Sequence, residues 1–178
     1  KATDAIGRLR GQGRVALPDL LKLTADSDPR VRWHAARSVG LIGEDAVSAI
    51  PVLLSLLQDA DPVVATQAAA AIGRIREDDD HGSLSEEEKE LYADAVTQLV
   101  GTLVHNDARV RRACLRSLQS LNPSPEQLMP VVDAVFASQD SATILPVMES
   151  IADMGGDAVP FLIDRLKLPQ GRFWASVA

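Results

Sequence analysis

Six positions of this chain have the side chains and the spacing to grip an anionic partner: Arg30, Trp33 and Arg37, then Arg109, Arg112 and Arg116. Each set falls two, five and nine residues after an aspartate, Asp28 or Asp107, intervals that place all three members on one face of a helix. Guanidinium forks suit carboxylate and phosphate, and a large ring flanked by arginines can anchor a partner. Val63, Thr66 and Ala70 form a small row at the same offsets between the two sets, and Ala142, Leu145 and Glu149 form a fourth. This chemistry is recognition rather than turnover. The three histidines, His34, His81 and His105, stand in different contexts with no glutamate beside them. There is no G-x-S-x-G, phosphate loop, zinc spacing or carboxylate pair, and Gly11-Gln12-Gly13 reads as a linker between helices. The single cysteine, Cys114, sits among apolar helix positions, which predicts a buried, inert thiol. No catalytic, cofactor-binding or metal-binding residue is expected, and no cofactor.

The elements that must position these rows repeat. Asp28-Pro29 and Asp61-Pro62 lie 33 residues apart, as do Pro18 and Pro51, and Gly7, Gly40 and Gly73 keep the same interval. The stretch ALPDLLKLTADSDPRVRWHAARSVG aligns with AIPVLLSLLQDADPVVATQAAAAIG. A period of this length marks an array of helical hairpins, in which length counts repeats, here about four. Asp-Pro puts a capping carboxylate before a proline at the first helical position, where the missing N–H costs nothing. Behind each cap the apolar positions form stripes: Val31, Ala35, Val39 and Ile42; Val64, Ala68, Ile72 and Ile75; Val110, Cys114, Leu118 and Leu121. Second helices are predicted at about 30–42, 62–76, 108–121 and 141–154, and first helices at about 14–24, 45–58, 86–104 and 125–137. The fold class is all-α, an α-α superhelix of about four to five hairpins.

The beat is broken once, since Gly73 to Gln119 spans 46 residues, about 13 more than the period. The excess lies in an acidic insertion at about 77–90. Residues 77–94 hold nine acids and one base, leaving 16 acids against 17 bases elsewhere, so the net charge of −7 is local. Ser85 followed by Glu86, Glu87 and Glu88 reads as a capped helix start, and the run as a solvated loop rather than a calcium loop. With 46% hydrophobic but only 3% aromatic residues, the core must pack through Ala, Val, Ile and Leu. No apolar run approaches the roughly 20 residues of a membrane span, and the first residues lack the apolar centre of a signal peptide. A cytoplasmic location is expected. Residues 2–10 match the end of a second helix, and 157–168 form a first helix whose partner is only begun, so 1–178 is expected to be one array cut from a longer protein. Pro146, about six residues into its helix, predicts a kink.

Residues 25–43, ADSDPRVRWHAARSVGLIG, resemble HEAT repeats of the short bacterial kind, similar to the HEAT-like repeats of phycobilisome lyases, with their D-x-D-P turn, V-R-x-x-A-A and closing glycines. The second unit has Ala65 where Arg32 stands, and the third has Gln119 in place of the glycine. The resemblance implies a right-handed, armadillo-like solenoid whose second helices line a concave face, with Arg30, Trp33, Arg37, Arg109, Arg112 and Arg116 pointing into it. The expected function is a non-catalytic scaffold binding a protein or acidic peptide there. A lyase-like enzyme or subunit is the alternative the resemblance implies. Nucleic acid binding, known for HEAT-like proteins with basic concave faces, fits poorly with a pI of about 4.9.

Overall fold

Helices alternate in three hairpins among residues 13–77 and 84–121, the part of the computed structural model described here, all of it in the first of two compact units, Lys1–Asn122 and Pro123–Ala178. The first hairpin pairs α1 (Gly13–Leu23) with α2 (Pro29–Ile42). The second joins a 3-10 segment (Gly43–Ala49) and α3 (Ile50–Leu56) to α4 (Pro62–Glu77). The third pairs α5 (Glu86–Gly101), extended by a 3-10 turn (Thr102–Val104), with α6 (Ala108–Leu121). These are the hairpins the spacing predicts, with one difference. The helix expected from residue 45 begins as 3-10, because Gly43, at φ 78°, leaves the helical region and ends α2; the α form resumes at Ile50 beside Pro51. The expectations for residues 2–10, for the insertion at 78–83, for the helices at 125–137, 141–154 and 157–168, for Pro146 and for the row Ala142, Leu145 and Glu149 lie outside the described residues.

The turns explain the D-x-D spacing. In the first two hairpins the leading aspartate, Asp26 or Asp59, accepts from the backbone N–H of the second, at 2.8 and 2.9 Å. The second aspartate, Asp28 or Asp61, then caps the helix by accepting from the N–H two residues on. In the third turn His105 takes the leading role, its Nδ1 accepting from Asp107 N–H at 3.0 Å, while Asp107 caps α6. The Ser85 capping box forms as predicted, with Ser85 and Glu88 each accepting from the other's backbone N–H.

Arg32 clasps the first two hairpins together. Its Nε and Nη2 donate to the two oxygens of Asp59 at 2.7 and 2.8 Å, and its Nη1 donates to the carbonyls of Asp26 and Ser27. Both side chains are largely buried, at 17% and 8% exposure, so the arginine of the V-R pair is structural. The equivalent Arg111 reaches the carbonyls of its own turn, at His105 and Asn106, in the same way. Ala65 leaves the second hairpin without a clasp of this kind.

The most extensive contacts run between successive second helices, α4 with α6 and α2 with α4. The repeat glycines lie at these contacts, close against the facing helix. A methyl group at Gly40 would stand 2.7 Å from Ala71 Cα, and one at Gly73 would stand 3.0 Å from Ser117 Cα. Ser117 also ties these helices across the repeat, donating to the Ala69 carbonyl at 2.7 Å. The predicted stripes fill the space behind, with Ala35, Val39, Val64, Ala68, Ile72, Ile75, Val110 and Cys114 all fully buried. Taken as one continuous stretch, Pro29–Leu56 is long and apolar enough to pass for a membrane span, contrary to the expectation from apolar runs. Just over half of its most apolar window, 56%, is buried inside the fold, as in the core helix of a repeat array.

Two outcomes follow from these contacts. Gly40→Ala must push α2 off the backbone of α4 and is expected to cost about 1–3 kcal/mol, whereas Gly101→Ala, a helical site with nothing within 4 Å, is expected to gain about 0.5–1 kcal/mol, both read by urea denaturation. Asp59→Ala leaves the part-buried Arg32 guanidinium without its carboxylate and is expected to lower the urea midpoint. Arg32's hydrogen bonds hold the Asp59 carboxyl below its usual range, against the opposing effect of burial. The stability from this pair is therefore complete above about pH 4, the unfolded value, and is lost as pH falls through the lowered native one. Acid denaturation of Asp59→Asn should lack that component.

Candidate functional site

A groove of about 510 Å³ runs between α4 and α6. Its depth comes from the row of short side chains: Thr66, Ala70 and Gly73 of α4 leave room that Arg109, Arg112 and Arg116 of α6 and Arg74 of α4 border. No Asp or Glu is among its lining residues, an unusual surface for a chain with 25 acids and 18 bases.

The structure brings half of the predicted contact residues to this groove. Arg109, Arg112 and Arg116 line it; Arg30, Trp33 and Arg37, one hairpin away or more, do not. Arg109 is committed to its own cap, with Nη2 donating to Asp107 at 2.7 Å and Nε at 3.1 Å. That fork and the Arg109 backbone N–H hold the Asp107 carboxyl far below its usual range. Arg30 forms the same fork on Asp28, with Nη2 donating at 2.8 Å, and lowers that carboxyl likewise. Trp33 is half-buried, edge-on to the His34 ring at 4.0 Å between centroids, and the Arg37 guanidinium lies 6.0 Å from its centre.

Arg112 and Arg116 are different. Arg112 donates only to the Ala108 carbonyl of its own helix, and neither Arg112 nor Arg116 meets a carboxylate among the described residues. Arg74 shares that condition, and its Nη1 is shut off from solvent without a partner. Gln67, also in the lining, has a shielded Oε1 with no donor. Among the described residues the site is therefore three guanidiniums that meet no carboxylate and one unsatisfied acceptor. The hydroxyls of Thr66 and Ser117 are spent on helix carbonyls. Arg74 was not among the sequence-predicted residues, although a signal for it exists. It lies 13 residues after Asp61, one turn beyond the offsets of two, five and nine, so extending the row by a turn finds it.

Among the described residues no group of three or more His, Cys, Asp or Glu could hold a metal ion. Cys114 is fully buried, and burial pushes its thiol up to about 12.

The stacked hairpins define a class, the α-solenoids of short helical repeats. Residues 17–86 match the family model for HEAT repeats. The structure resembles the complex of CpcE and CpcF of phycocyanin lyase from Nostoc sp. PCC7120, with a TM-score of 0.66 and 21% identity over 84% of this chain and 86% of that one. It also resembles an engineered protein solved by a structural genomics consortium, with a TM-score of 0.58 and 22% identity over 98% and 85% of the two chains. At such identities the likeness is one of fold. No curated protein matches the sequence.

The buried, protonated Cys114 is expected to resist iodoacetamide at pH 8 in the native protein and to react within minutes in denaturant, read by mass spectrometry. Modification at equal rates in both conditions would contradict the buried position.

Proposed function

We propose that this chain is a non-catalytic scaffold that binds an acidic segment of a partner protein, with the groove between α4 and α6 as the grip. The observation that carries the reading is the absence of carboxylates around Arg74, Arg112 and Arg116 among the described residues, in a chain where acids outnumber bases. Exposed arginines ordinarily find acidic neighbours, as Arg30 and Arg109 do here. Three left together must instead tolerate one another's charge, and an anionic ligand relieves that repulsion while using their N–H donors. Arg109 borders the same groove and extends its positive edge. Arg30, Trp33 and Arg37 serve as an outlying contact row on the same face of the second helices.

The fold likeness to the CpcE and CpcF complex, an assembly of two subunits, supports a role in protein association. A lyase-type role rests on that likeness and on no residue of the groove. Nucleic acid is disfavoured by the pI of about 4.9.

The test is fluorescence anisotropy with a labelled peptide of mixed Asp and Glu. Wild type is expected to bind it, with affinity falling as salt rises. The Arg74→Glu/Arg112→Glu/Arg116→Glu variant should lose at least tenfold, with its helical content unchanged by circular dichroism, and Arg30→Glu should lose little. Equal binding by wild type and the triple variant would overturn the assignment to this groove.

A further inference from the structure

We propose that the anion this groove selects is a phosphate monoester on the partner segment, a phosphorylated serine or threonine, rather than a run of carboxylates. The inference rests on the reading of the groove as a protein-binding grip and names what it grips.

The donor and acceptor inventory carries it. Arg74 projects from α4, and Arg112 and Arg116, one turn apart, from the facing helix α6, so guanidiniums border the groove from both sides. None meets a carboxylate among the described residues, and no acid lines the groove, so the described residues leave three positive charges uncompensated. A single carboxylate brings one charge and two oxygens, and its plane matches one guanidinium fork at a time. A phosphate monoester near neutral pH brings close to two charges and three terminal oxygens arranged as a tripod, which can meet forks arriving from different directions. The orphaned Nη1 of Arg74 is a donor already stripped of water and pointing to the need for an acceptor. The orphaned Oε1 of Gln67 needs a donor, which the dianionic phosphate monoester lacks and the N–H of the peptide that carries it supplies. The volume of about 510 Å³ exceeds a phosphate and suits one modified side chain with the backbone that carries it.

The experiment uses the full chain and three oriented peptide libraries, identical except for a fixed central residue: phosphoserine, glutamate or serine. Retention is compared between wild type, the Arg74→Ala/Arg112→Ala/Arg116→Ala variant and Arg112→Lys/Arg116→Lys, which keeps the charge and loses the forks. The expected result is at least tenfold enrichment of the phosphoserine library over the glutamate one, loss in the alanine variant, and a clear reduction in the lysine variant. Binding of a selected phosphopeptide should weaken as pH falls from 7.5 to 5.5, as the phosphate dianion takes up one proton near pH 6 and drops to a single charge. Equal retention of the glutamate and phosphoserine libraries, both above serine, overturns the phosphate inference and leaves the acidic-segment reading standing. No retention above the alanine variant in any library overturns both. Retention abolished by millimolar inorganic phosphate alone, with no preference among phosphopeptides over free phosphate, assigns the site to the ion and overturns recognition of a peptide.

Discussion

The approach of one second helix to the next governs this structure. A helix surface can come this near to another's backbone only where a side chain is missing, and Gly40 and Gly73 supply that gap against Ala71 and Ser117. The two contacts are equivalent in register, which is why α4 stacks on α2 as α6 stacks on α4 despite the insertion between the second and third units. Everything else is arranged behind that contact: the small residues of the stripes, the burial of the first helices, and the way side chains at fixed offsets from the caps come to share one surface. The composition reflects it, since a core assembled around backbone proximity has little room for rings.

The turns convert this stacking into a regular array. A carboxylate or imidazole organises each bend, a second carboxylate starts the helix, and both act through backbone N–H groups whose positions are set by the residue count. The Arg32 clasp adds something the turn alone lacks, because it joins one bend to the next through Asp59 and to its own carbonyls at once. Charge in this protein thus has two uses. Where arginines meet aspartates they fasten structure, and where they meet none they define a surface.

Most of the fold was legible in the sequence because its determinants are local or periodic: the 33-residue interval, the capping aspartates, the Ser85 box and the apolar stripes each depend on residues a turn or two apart. The start of α3 departs from the apolar spacing for a local reason as well, the positive φ of Gly43, which that spacing does not report. The site was legible only in part. Offsets from the caps placed Arg109, Arg112 and Arg116 on one face, but which arginines remain uncommitted depends on neighbours across the fold, and Arg74 enters the groove from the other helix. The bond between Arg32 and Asp59 spans 27 residues and could not be seen from either turn alone.

Ala65 gives the groove a mechanical character. The first junction is fastened at two levels, at its glycine core and at its rim by the guanidinium of Arg32. The second junction keeps the core contact and the Ser117 bond, but among the described residues its rim has no such fastening. The groove lies along that joint, so its two walls are held together by the Gly73 contact and the Ser117 bond and not by an ion pair of the kind that spans the neighbouring junction.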